Sequence, residues 1–215
     1  MPGDVVSAAE AFARLRKGND RFVSDLRSLD SLLSHTRKAE FAVQAQRPIA
    51  IVLGCSDSRV PAEIVFDQGL GDLFVIRVAG NVVAPSQVGS VEFAASRFGT
   101  RLVVVLGHSR CGAVLATLEV LEGAGAAETR GLRSIVERIS PVVQPLLGVG
   151  RIADRDELIR EAVRANVRSS VDRLRRGSAL LEQLVTDEGL CIVGAEYSLE
   201  TGRVDFFESP PFLQG

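Results

Sequence analysis

The chain has 215 residues, of which 46% are apolar and 24% charged, and a formal net charge of −2. That length suits one domain, or a domain with an arm, able to bury roughly 70% of its unfolded surface. The near-neutral charge excludes an electrostatic pull toward nucleic acid or an anionic membrane, and no apolar run approaches the ~20 residues that span a bilayer.

Met1-Pro2-Gly3-Asp4 shows no basic region followed by an apolar core, so no secretory signal is expected and a cytoplasmic location follows. Three cysteines are an odd number at low density, which predicts reduced thiols rather than a disulfide framework. The positive charge is nearly all arginine, with Lys17 and Lys38 the only lysines.

Ser7-Ala8-Ala9-Glu10 reads as a capping box, and Phe12, Leu15 and Phe22 continue an apolar helical stripe. A second helix is predicted from Ser28 to Gln44 through Leu29, Leu32, Leu33, Ala39, Phe41 and Ala42. Residues 1–47 thus form a helical arm, free to pack on its own core or across a subunit boundary. Residues 48–215 form the main domain.

Pro48 opens a strand over Ile49–Leu53, and a loop with Pro61 and Gly69-Leu70-Gly71 leads to a strand over Leu73–Val78. After a break at Gly80-Asn81, a helix through Val91, Phe93 and Ala94 ends near Gly99, and Leu102–Leu106 is the next strand. A helix follows Cys111 to about Glu122, and Gly123-Ala124-Gly125-Ala126-Ala127 is a small-residue linker. Leu132–Val143 is predicted helical, ending around Pro141 and Pro145, and Asp154–Val185 one long helix. Short strands over Leu190–Gly194 and Val204–Phe207 flank a turn at Thr201-Gly202. Strands alternating with helices predict an α/β fold: a central, mostly parallel sheet flanked by helices, edged by a C-terminal antiparallel strand.

Two segments that follow buried strands concentrate the chemistry. Cys55-Ser56-Asp57-Ser58-Arg59 follows the first, and His108-Ser109-Arg110-Cys111 follows Leu102–Leu106. In such sheets ligands bind beyond the carboxyl ends of strands, where the strand order reverses. Thiolate, imidazole and carboxylate are the ligands zinc takes, usually four in a tetrahedron. Gly54, Gly107 and Gly112 flank the pairs. Asp57 has two possible partners, a metal or the Arg59 fork. On the metal it would close a four-ligand site; on Arg59 it would leave a position for water. Cys191, within an apolar strand, reads as a small buried hydrophobe, and His35 as exposed and inert.

Cys-Ser-Asp-Ser-Arg-Val at 55–60 and Gly-His-Ser-Arg-Cys-Gly at 107–112 resemble the β-class carbonic anhydrases, and residues 67–74 and 77–81 extend the resemblance. The resemblance implies reversible hydration of carbon dioxide to bicarbonate and a proton, with zinc as sole cofactor. It implies Cys55, His108 and Cys111 as permanent zinc ligands, and Asp57 as a ligand in a closed state only. The Asp57–Arg59 dyad would orient zinc-bound hydroxide for attack. Gln46, Phe74, Phe93 and the Gly112 N–H match substrate-binding positions, Gln46 often acting across a dimer interface. A homodimer or dimer of dimers is implied, its arms wrapping the partner. Two thiolates would neutralise zinc formally, so its water should ionise less easily than the pKa of ~7 seen with three imidazoles. Arg77 and Tyr197 match two walls of the family's second bicarbonate site, but the tryptophan position of that site is Val52. A carbonyl sulfide or carbon disulfide hydrolase of the same fold, or a structural zinc protein, is the alternative.

Overall fold

The computed structural model describes residues 6–34, 42–43, 45–127, 129–148, 152 and 154–208. Five strands, β1 (Ala50–Gly54), β2 (Leu73–Arg77), β3 (Leu102–His108), β4 (Cys191–Tyr197) and β5 (Val204–Asp205), form one sheet in the order β2-β1-β3-β4-β5. The first four run parallel, and β5 pairs antiparallel with β4. The expected α/β architecture and its antiparallel edge are both present.

Apolar strand runs are buried on both faces because parallel sheets carry helices on both. Alternation divides their side chains. Ala50, Val52, Val104 and Leu106 join Phe12 and Leu15 of helix α1 (Ala8–Val23) in one cluster. Ile51, Leu53, Val103 and Val105 join Val91, Val167 and Val171 on the other face, under helices α4 (Pro85–Arg97) and α7 (Arg155–Arg176). A third cluster, around Leu118, Ile139 and Val163, packs α5 (Gly112–Leu121) and α6 (Arg130–Val143) beside α7. No helix among the described residues is long and apolar enough to cross a membrane.

Helix α1 packs on its own sheet, so this part of the arm belongs to the chain's own core. Its cap is half of the predicted box: Ser7 Oγ accepts from Glu10 N at 3.2 Å. The Glu10 carboxylate pairs instead with Arg14 one turn on, where an arginine supplies the stronger, charge-assisted partner. The predicted second helix appears as α2 (Leu29–Leu33), while residues 35–41, including His35 and Phe41, and 44 lie outside the described residues. A short helix, α3 (Ala62–Val65), occupies what reads as a loop after Pro61.

The helix predicted over Leu132–Val143 is α6, which carries Pro141 inside it between the buried Ile139 and Val143. One helix boundary differs from the sequence reading. The expected helix over 154–185 is two, since α7 stops at Gly177 and α8 (Ala179–Asp187) restarts on Ser178, whose Oγ accepts from Leu181 N at 3.2 Å. Gly-Ser at this point is a cap signal that helical periodicity alone obscures.

The connection from β1 leads outward to β2, and the chain then returns across β1 to β3. The carboxyl ends of β1 and β3 therefore flank the point where the strand order reverses, the usual position of a ligand crevice.

Candidate metal centre

Cys55 follows β1 directly, His108 is the last residue of β3, and Cys111 is the N-cap of α5. All three are buried, and their ligand atoms lie within 4.8 Å of one another. The two sulfurs are 4.0 Å apart. A tetrahedral zinc with bonds of about 2.3 Å would separate them by about 3.8 Å.

The Cys55 thiol is drawn down, first by its hydrogen bond with Cys111 and also by the Gly80 N–H, which lies 3.4 Å from its sulfur. Sharing that proton pushes the Cys111 thiol up, and burial adds to the rise. A divalent cation would take the place of the proton the two sulfurs share.

His108 Nδ1 lies 2.9 Å from the Ser109 carbonyl oxygen. A carbonyl can only accept, so Nδ1 carries the proton and Nε2 presents its lone pair. Nε2 is buried without a hydrogen-bond partner among the described residues. A bare imidazole nitrogen beside two sulfurs is a costly arrangement in an apolar interior and a complete one around a metal. The donor set therefore fits a soft or borderline divalent cation such as zinc.

The Asp57 carboxylate faces Arg59. It accepts from Arg59 N at 3.0 Å, from Nε at 2.9 Å and from Nη2 at 2.8 Å. The Arg59 fork holds its carboxyl well below the usual carboxylate range. Of the two partners open to it in the sequence, Asp57 takes the guanidinium, yet its Oδ2 is only 3.9 Å from His108 Nε2. It stands at the edge of the sulfur–imidazole group without entering it.

Several further groups support this arrangement. Arg77, at the end of β2, donates through Nε to the Cys55 carbonyl at 3.0 Å and through Nη2 to the Asp57 carbonyl at 2.6 Å, fixing the loop between them. Gly80, in the left-handed region at φ +68°, donates its N–H toward the Cys55 sulfur. Asn166 Nδ2 donates to the Gly80 carbonyl at 2.7 Å, and Ser170 Oγ to the Asn81 carbonyl at 2.9 Å. Both interrupt the buried face of α7 between Val163, Val167 and Val171, one turn apart. Two polar residues on an otherwise apolar helical stripe are the signal that could have found them.

Among the flanking glycines, Gly107 has a steric reason. A Cβ there would lie 2.5 Å from Val167 Cγ2, whereas Gly112 has open space. Gly107→Ala is expected to lower unfolding free energy by about 1–3 kcal/mol through overpacking against α7. Equilibrium urea denaturation checks it; wild-type stability would mean that α7 yields freely.

A family model described as carbonic anhydrase matches residues 50–204. The chain belongs to the carbonic anhydrase family. It is 42% identical over 195 residues to a carbonic anhydrase of Mycolicibacterium smegmatis, covering 91% of each chain. Carbonic anhydrase 2 of Mycobacterium tuberculosis (strain H37Rv) is 40% identical, over 90% of this chain and 89% of its own. The fold is that of the β class. The Aspergillus fumigatus β-carbonic anhydrase CafA superposes with a TM-score of 0.73 at 24% identity, over 92% of this chain and 90% of its own. A tetrameric β-carbonic anhydrase of Sordaria macrospora gives 0.71 at 22% identity, over 83% and 91%.

Within this carbonic anhydrase chain the other predicted site residues divide. Gly112 opens α5 immediately after Cys111, with its surface exposed. Phe74 pairs in register with Ile51, well before the end of β1. Its ring lies 6.3 Å from Phe93 and 6.1 Å from Phe98. Phe93 is 52% exposed, and Gln46, before β1, is exposed too. Cys191 is buried in β4, and burial pushes its thiol up to about 11, as suits an inert core residue.

Proposed function

We propose that this chain catalyses the zinc-dependent, reversible hydration of carbon dioxide to bicarbonate and a proton. The observation that carries the reading is the buried Cys55–His108–Cys111 group beside a carboxylate held by its own arginine. Zinc held by those three residues would supply Lewis-acid chemistry, lowering the pKa of a water for attack on carbon.

The chain's own residues do the rest. His108, fixed as the Nδ1–H tautomer, offers Nε2 to the metal. Asp57, ionised and pinned by Arg59, accepts a proton-side hydrogen bond from the attacking water and aims its lone pair at the substrate. With both carboxylate oxygens on Arg59, a fourth ligand position stays available, which disfavours a purely structural zinc. The Gly112 N–H at the start of α5 serves as a donor to the substrate oxygen that gains charge.

Gln46, Phe74 and Phe93 act in this reading across a homodimer, which further assembles as a dimer of dimers. Gln46 and Phe93 are exposed, and Phe74 is half-buried beside Phe93, so this surface is open to a second copy. The exposed Leu26, Leu29, Leu32 and Leu33 of the arm supply apolar surface for that contact. The location that suits reduced thiols is the cytoplasm.

Stopped-flow hydration tests the chemistry through pH. The Asp57 carboxyl, lowered by Arg59, is ionised throughout the neutral and alkaline range, so it contributes no rise. The attacking water must lose a proton, so turnover is expected to climb between about pH 6.5 and about pH 9. A flat profile over that interval would contradict the mechanism.

A further inference from the structure

We propose that Glu200 is a positioning residue for the metal centre, fixing through Ser109 and Arg110 the turn that carries His108 and Cys111. The inference rests on reading Cys55, His108 and Cys111 as metal ligands.

Glu200 lies on the hairpin turn between β4 and β5. Parallel pairing sets Tyr197, at the end of β4, beside His108, and Ser109 N donates to the Tyr197 carbonyl at 2.9 Å. The hairpin therefore abuts the metal-binding turn. Ser109 Oγ donates to Glu200 Oε2 at 2.8 Å and accepts from Leu199 N at 2.9 Å. The other carboxylate oxygen, Oε1, lies 3.2 Å from Arg110 Nε. One carboxylate thus grips both residues that separate the two proposed ligands.

That turn needs holding. Arg110 sits at φ +54°, a region that side chains bearing a Cβ disfavour. Ser109 is also the residue whose carbonyl receives the His108 Nδ1 proton. If its side chain were released, rotation of Ser109 would swing that carbonyl and free the imidazole to turn. Glu200 is itself fixed, since Ser198 Oγ donates to Oε2 at 3.2 Å, and Gly202 N closes the turn on the Ser198 carbonyl at 2.9 Å. The hydrogen bond from Ser109, first among several causes, holds its carboxyl below the ordinary range. The chain His108–Ser109–Glu200 is an outer support of the kind that sets the orientation of a metal-binding imidazole.

The test is the Zn²⁺ dissociation constant, measured by competition with a chromophoric chelator. Wild type is titrated first, and failure to bind one zinc would overturn the metal-centre reading itself. Given wild-type binding, Glu200→Ala is expected to weaken zinc affinity about tenfold, and Glu200→Gln, which keeps an acceptor for Ser109, to restore most of it. Ser109→Ala should weaken binding similarly, and the Ser109→Ala/Glu200→Ala pair no more than the stronger single change, because both cut one chain of contacts. The metal-free variants should melt with the metal-free wild type. Wild-type affinity in Glu200→Ala, or additive losses in the double variant, would overturn the proposal. If Glu200→Ala does not fold, Glu200→Gln and Ser109→Ala decide it: an affinity loss in Ser109→Ala with little in Glu200→Gln supports it, and unchanged affinity in both refutes it.

Discussion

Cys111→Ala is expected to abolish stoichiometric zinc and to lower carbon dioxide hydration by at least about 10³-fold. Lewis-acid activation is worth several kcal/mol, and about 1.4 kcal/mol corresponds to a factor of ten in rate. Cys111 is 1% exposed and its sulfur lies 4.0 Å from that of Cys55, so its loss leaves one sulfur and one imidazole as donors. Two donors cannot hold zinc against water at submicromolar concentrations of metal. The fold should survive, because Cys111 caps α5 without a side-chain hydrogen bond to the helix. Metal analysis after gel filtration and stopped-flow hydration check the result. A variant that keeps both its zinc and its rate would remove Cys111 from the site.

Asp57→Asn is expected to separate metal binding from activity. Asp57 is not among the three clustered ligand atoms, so zinc content should stay at the wild-type level. The amide offers one acceptor oxygen and no charge where the carboxylate offered two oxygens to Arg59. The attacking water would then lose its fixed acceptor, and hydration should fall on the order of 10²-fold or more. Arg59→Ala makes the complementary change. With no guanidinium to hold it, the carboxylate 3.9 Å from His108 Nε2 is free to rotate toward the metal and close the site. Zinc should then bind at least as tightly while hydration falls. Full activity in either variant would take the dyad out of the mechanism.

The candidate site residues were legible because each pair is local in sequence and ends a buried strand. Cys55 with Asp57, and His108 with Cys111, needed only the parallel pairing of β1 and β3 to meet. Helix and strand identity followed from periodicity for most elements. What stayed hidden depends on tertiary neighbours. Periodicity reads straight through Gly177-Ser178, where the chain breaks to start a new capped helix. Asn166 and Ser170 read as ordinary helix residues until α7 is laid against Gly80 and Asn81. Glu200 lies far from His108 in sequence, and only the β3–β4 register brings its hairpin to the turn between His108 and Cys111.

The central claim is that Cys55, His108 and Cys111 form a zinc centre that hydrates carbon dioxide. Its most direct test is stopped-flow hydration by the wild-type protein, stripped with chelator and then titrated with Zn²⁺. The rate should be negligible after stripping and rise linearly until one zinc per chain is bound, then level off. Hydration that is undiminished in the stripped protein, or absent at one bound zinc per chain, would contradict it.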